Sequence, residues 1–165
     1  MSVVSDASPL IILAKIGALD LLQNLHRRIY MSSEVYAEIV VAGAGLPGAS
    51  QVAKAKWIEV KPLQQASSLT AAQERFGLGL GELSTILLAK QMGASTVLID
   101  EEKGRRIARA EGLQVRGTVG ILENLYRRRE IPDLRESFRN LVVCHAHLDL
   151  RLLNRRLQLY GLPPL

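Results

Sequence analysis

Short apolar runs alternate with helix-length amphipathic segments along the whole chain. Val3 to Ser5 predicts a first strand. Ser8 and Pro9 read as an N-cap followed by proline at the first helical position. Leu10, Ile11, Leu13 and Ala14 continue that helix, which breaks near Gly17 and resumes through Leu19, Leu22 and Leu25. Arg28 to Met31 predicts a second strand, and Ser32-Ser33 caps a helix with Val35, Ile39 and Val40 on one face. Gly43 to Ser50 reads as a loop. Trp57 to Val60 is a third strand, ended by Pro62. Gly77 to Gly81 is a flexible turn before a strong helix over 82–92, and Thr96 to Ile99 is an apolar, β-branched fourth strand. A helix over 101–111, a short strand over 113–115 and a helix over 118–129 follow. Helices fill the remainder, with Leu162 to Leu165 as a frayed tail.

Strands alternating with helices predict an α/β fold in which helices cover a central parallel sheet of about five strands. A strand as apolar as Thr96 to Ile99 fits a sheet buried on both faces. Ligands in such folds sit beyond the carboxyl ends of the strands, so the residues just after each strand carry the chemistry. No internal repeat or low-complexity tract interrupts the pattern. The reading divides the chain into a core over 1–130 and a C-terminal helical extension over 131–165 packed on it.

Composition adds exclusions. The chain has 165 residues, 48% hydrophobic and 22% charged, and one cysteine. That is ordinary globular usage, which excludes disorder and a disulfide framework. Lone Cys144 fits a reducing compartment, most simply the cytoplasm. No apolar run approaches the roughly 20 residues of a membrane helix. The first fifteen residues place an acid before their apolar stretch and no basic cluster, which is not the pattern of a secretory signal.

Charge changes the picture further. The net charge is +5, and the excess is concentrated: between Lys103 and Arg156 thirteen basic residues face six acids. Such a half suits either a polyanionic partner or a solvated surface. Aromatic residues are only 4% of the chain, which argues against a base-stacking platform of the single-strand-binding type.

Acids occupy the positions that matter. Asp6 follows strand one; Asp100, Glu101 and Glu102 follow strand four. Glu38 lies on the helix after strand two, and Glu82 opens the helix before strand four. A parallel sheet can bring these places to one cleft, where gathered carboxylates repel. A hard divalent cation relieves that conflict, since carboxylate and water oxygens are what Mg²⁺ and Mn²⁺ prefer. Each acid also has a plainer reading. Asp6 can serve a strand-to-helix turn, Glu82 and the Asp100 to Glu102 run can answer helix dipoles, and Glu38 can be an exposed helix residue.

The segments SDASPLI, IYMSSEVYAEIV, GLGLGEL and LIDEEKGRRIA with the later GTVG resemble the PIN-domain superfamily, most closely its compact branch related to VapC-type toxins. The resemblance covers about residues 3–129. It implies a three-layer α/β/α fold and a Mg²⁺- or Mn²⁺-dependent endoribonuclease, often the toxin of a type II toxin–antitoxin pair. The family's four acids match Asp6, Glu38, Glu82 and Asp100, with Asp6, Glu82 and Asp100 as the implied metal ligands. Glu82 stands where many toxin relatives carry Asp, and Glu101 where this branch often has a second Asp. Ser8 matches the small hydroxyl beside the first acid, which it would orient, and Thr118 approaches the same cleft; the resemblance implies that both contact RNA. Lys103 and Arg106, three apart on one helix face, either hold RNA phosphates beside the metals or belong to a solvated charged helix that balances Glu101, Glu102 and Glu111. The implied partners are RNA, a small antitoxin protein and a second copy in a homodimer, with no membrane.

Other signals are weaker. Gly43 to Gly48 fits G-x-G-x-x-G but follows a helix and contains Pro47, so a dinucleotide site is not expected. Cys144, His145 and His147 lack a second ligand pair at zinc-site spacing. The Arg127 to Arg129 run reads as a solvated helix end, and the leucines over 148–159 as core or a docking helix. Two rivals stand beside the nuclease. One is a catalytically silent PIN-like module that binds RNA or protein. The other is a phosphoryl-receiver domain, disfavoured because a lone acid follows strand one.

Overall fold

The structure is a computed structural model and describes residues 2–144 and 148–165. Its elements are β1 (Val3–Ser5), α1 (Ala7–Lys15), α2 (Leu19–Leu25), β2 (Ile29–Ser32), α3 (Ser33–Tyr36), a π-helix (Ala37–Ala42), α4 (Ala49–Lys54), β3 (Ile58–Lys61), α5 (Ser67–Phe76), α6 (Leu80–Met92), β4 (Thr96–Leu98), α7 (Glu102–Ala110), β5 (Gln114–Arg116), α8 (Thr118–Arg127), α9 (Leu134–Val143) and α10 (Leu150–Leu159).

All strand pairs are parallel, in the order β3-β2-β1-β4-β5. Consecutive strand residues point to opposite faces, and the sequence exploits this. Val3 and Leu98 pack with Leu10, Leu13, Leu22, Ile121 and Phe138 on one side. Val4, Val97 and Ile99 pack with Leu83, Ile86, Leu88 and Ala108 on the other. The result is a three-layer α/β/α molecule. Strand order reverses at β1, which lies between β2 and β4, so the crevice beyond β1 and β4 is the expected ligand position.

Several sequence expectations are corrected. Helix α1 starts at Ala7 with Asp6 in the N-cap position, so Ser8 is not the cap. Pro9 is tolerated in that first turn because those N–H groups lack an intrahelical acceptor. Helix α6 begins two residues before Glu82. The 43–50 loop gives way at Ala49 to α4, and α5 is a helix that the sequence pattern does not predict. The end of the chain is docked rather than frayed: Arg135 donates two hydrogen bonds to the Pro164 carbonyl, and the Leu165 N–H reaches Asn154. Leu153 and Leu157 are core, whereas Leu150, Leu152 and Leu159 are exposed. The G-x-G-x-x-G segment follows a helical stretch, as its sequence context indicates. His145 and His147 lie outside the described residues. Among the described residues no helix is long and apolar enough to cross a membrane.

Candidate active site

Asp6, Glu38, Glu82, Asp100 and Glu101 gather at the carboxyl edge of β1 and β4. Asp6 is fixed there by its own backbone N–H, which donates to the Leu98 carbonyl at 2.9 Å. It is 7% exposed. Burial pushes its carboxyl up to about 7, against a hydrogen bond from the Ala7 N–H; the negative charges of Glu38, Asp100 and Glu101 push the same way.

Glu82 sits in the first turn of α6. Its carboxyl is pushed up to about 8, first by burial, then by a hydrogen bond with Glu101 and by the charges of Asp6 and Glu101. Glu38 is exposed at the start of the π-helix, a rare geometry that recurs at functional sites. A side chain on Gly81 would meet Asp6 Oδ1 and Glu38 Oε2, each at 2.8 Å. Carboxylates from two separate elements therefore close over one glycine.

Asp100 is held by three donors. Ser8 Oγ and Thr118 Oγ1 donate to Oδ2 at 2.9 and 2.8 Å, and the Thr118 N–H donates to Oδ1 at 2.7 Å. The hydroxyls of Ser8 and Thr118 are thus directed at the acid. This explains the shifted start of α1: the Ser8 hydroxyl is recruited across the cleft rather than to its own helix. A buried relay sets α3 against α6. The Val35 N–H donates to Ser32 Oγ, Ser32 pairs with Ser84 Oγ at 2.7 Å, and Ser84 donates to the Gly81 carbonyl.

The basic residues after Asp100 divide. Lys103 Nζ donates to the Gly77 carbonyl at 2.9 Å, in the turn before α6, and Arg106 is exposed. Arg105 Nη1 donates to the Ile99 carbonyl at 3.0 Å. A side chain on Gly117 would lie 2.6 Å from Arg105 Nη1 and 3.0 Å from Asp100 Oδ1, so only glycine lets both close in on this turn. Arg105 and Arg109 also face Glu102 at 3.7 and 3.6 Å.

The six polar residues singled out from the sequence at this edge, Asp6, Ser8, Glu38, Glu82, Asp100 and Thr118, do converge. Glu101 joins them, as its place directly after Asp100 and its match to the branch's second Asp indicate, although it is not among the four acids matched as catalytic. Ser32 caps α3 as the sequence indicates, whereas the structural parts of Gly81, Gly117, Ser84 and Arg105 have no sequence signal, because each depends on what crosses the cleft. The donor set consists of carboxylate oxygens, which suits Mg²⁺ or Mn²⁺ and not a soft metal. Lys103 and Arg105, the nearest cations in sequence, are engaged by backbone carbonyls. Among the described residues no three acids form a closed ligand set.

A family model described as PIN domain matches residues 2–162. No curated protein matches the chain.

Proposed function

The chain belongs to the PIN-domain family, whose members are generally nucleases, and from that premise we propose that it is a metal-dependent endoribonuclease. The observation that carries this reading is the convergence of carboxylates at one sheet edge: Asp6 and Glu38 close over Gly81, Asp100 is oriented by Ser8 and Thr118, and Glu82 and Glu101 lie beside them, with burial and these neighbours pushing the Asp6 and Glu82 carboxyls up. Such crowding is costly to the fold unless a cation shares the site.

In this reading Asp6, Glu82 and Asp100 hold Mg²⁺ or Mn²⁺, and Glu38 completes the catalytic acids. When bound, such an ion lowers the pKa of a water and stabilises charge on the phosphoryl oxygens. Ser8 and Thr118 fix the rotamer of Asp100, so its oxygens arrive already oriented. Lys103 and Arg106, three apart on α7, would meet the phosphates of the RNA, Lys103 by exchanging its bond to the Gly77 carbonyl. The branch resemblance extends the proposal to a cytoplasmic toxin of a type II pair. That toxin would be homodimeric and neutralised by a small antitoxin, with residues 131–165 as an extension on the nuclease core.

Purified protein incubated with messenger RNA is expected to cleave it in Mg²⁺ or Mn²⁺ and not in chelator, with Asp100→Asn reduced at least about a hundredfold. Equal cleavage in all arms ends the nuclease reading. Calorimetry gives a second check. Gly81→Ala, which sets a methyl group against Asp6 and Glu38, is expected to weaken Mn²⁺ binding about tenfold with little change in melting temperature.

One observation favours the rival, a catalytically silent PIN-like RNA- or protein-binding module: among the described residues no three acids yet form a closed ligand set. Absence of any Mn²⁺ binding that depends on Asp6 and Asp100 would decide for it.

A further inference from the structure

At the far end of α8 from Thr118 lies a groove of about 540 Å³ lined by Tyr126, Arg127, Arg129, Ile131, Pro132 and Tyr160. Its most informative member is Arg129. The Arg129 N–H bonds the Tyr126 carbonyl and the Glu130 N–H bonds the Leu125 carbonyl, the paired pattern that ends a helix on a left-handed residue. That position favours glycine, yet here it is an arginine with φ of 62°, the one non-glycine with positive φ among the described residues. A strained backbone held by an unfavourable residue type points to use of the side chain.

The surroundings indicate what that side chain meets. Tyr126 and Tyr160 pack edge to face with centroids 5.5 Å apart, and Arg127 Nη1 donates to the Tyr160 hydroxyl at 3.0 Å. Among the described residues neither Arg127 nor Arg129 has a carboxylate ion-pair partner. Two guanidiniums beside the Tyr160 ring match phosphates flanking one planar base, a single contact that a chain poor in aromatic residues can still make. An acidic peptide would use the charges but not the ring. Thr118, against Asp100, and Arg127 are the first and last residues of the ten-residue helix α8, about 14 Å apart along its axis.

We propose that this groove is a second RNA subsite, which holds a single-stranded segment of the substrate several nucleotides from the scissile bond. It rests on the nuclease reading above for its link to cleavage, though not for its affinity. Phosphates would sit on Arg127 and Arg129, and a base would lie against Tyr160. The subsite adds binding energy shared by bound substrate and transition state, so it lowers KM for long RNA and leaves kcat unchanged.

The test is Arg129→Gly, which removes the side chain and relieves the backbone, so the variant keeps or raises its melting temperature. Binding of long and short labelled single-stranded RNA is measured by anisotropy in chelator, over a salt series. The expected result is about five- to tenfold weaker binding of long RNA, with the salt slope reduced by about 0.7. Short RNA is unaffected. With metal, KM for long RNA rises and kcat holds. Unchanged affinity and slope overturn the subsite, as does loss of affinity for a glutamate-rich peptide with RNA binding intact, which assigns the groove to an acidic protein. If the wild-type chain cleaves nothing, the nuclease reading fails alone, because the anisotropy experiment still reads the groove.

Discussion

The substitution Asp6→Asn is expected to remove RNA cleavage and to make the protein more stable at pH 8. The loss of activity, at least about a hundredfold, follows from removing one of the acids that meet beyond β1 and β4. The gain in stability follows from linkage. Asp6 has a folded-state pKa of about 7 against an ordinary value of 3.8, so between those values the folded chain holds a proton that the unfolded chain has lost. Stability therefore falls as pH rises from about 4 to about 7, and the full cost is present at pH 8. A shift of this size corresponds to a few kcal/mol, on the order of 2–4. The amide of the variant carries no such charge. Thermal melts should show the variant several degrees above the wild type at pH 8 and level with it near pH 4. Glu82 is shifted in the same direction and leaves a smaller pH dependence in the variant. Millimolar Mn²⁺ should raise the wild-type melting temperature at pH 8 and leave the variant almost unmoved. A variant that melts below the wild type at pH 8 would show that Asp6 is not crowded.

The trade between stability and chemistry bears on what the sequence discloses. The layers were legible because Val3 and Val4, or Val97 and Leu98, are apolar on both faces, and only a covered parallel sheet uses such strands. The acids were legible because each follows a strand or begins a helix. What was hidden depends on partners distant in sequence. Ser8 looks like a helix cap, and its hydroxyl goes instead to Asp100, ninety-two residues away. The π-helix that carries Glu38 has the composition of an ordinary helix. Strand edges from β2 to β5 sit one residue from their predicted places, because apolar character does not stop where the ladder hydrogen bonds do. Nothing in Leu162 to Leu165 announces docking, since its partners are Arg135 and Asn154.

Phe138→Ala is expected to cost about 3–5 kcal/mol. Leu134, Phe138 and Leu141 recur on one face of α9, and all are fully buried. They join Leu13, Leu22, Leu122 and Leu125 of the helices against the sheet, together with Leu153 and Leu157 of α10. Removing the ring opens a cavity shared by α9 and the layer against the sheet. The expected readout is a lowered urea midpoint with an unchanged slope and one transition throughout. Val143→Ala, at a 69% exposed position on the same helix, should move the midpoint very little. An ion pair locks the arrangement: Arg156 Nε and Nη2 both donate to Glu123 Oε1, at 2.9 and 2.6 Å, and Glu123 is 3% exposed. Arg156→Ala leaves that carboxylate buried and alone, at about 3 kcal/mol, whereas replacing both residues with leucine should recover most of the loss. Two separated transitions in Phe138→Ala, with the sheet and its other helices melting as in the wild type, would mean that α9 and α10 are a detachable appendage. One lowered transition would mean that the acids at the sheet edge depend for their position on helices that the primary structure sets apart from them.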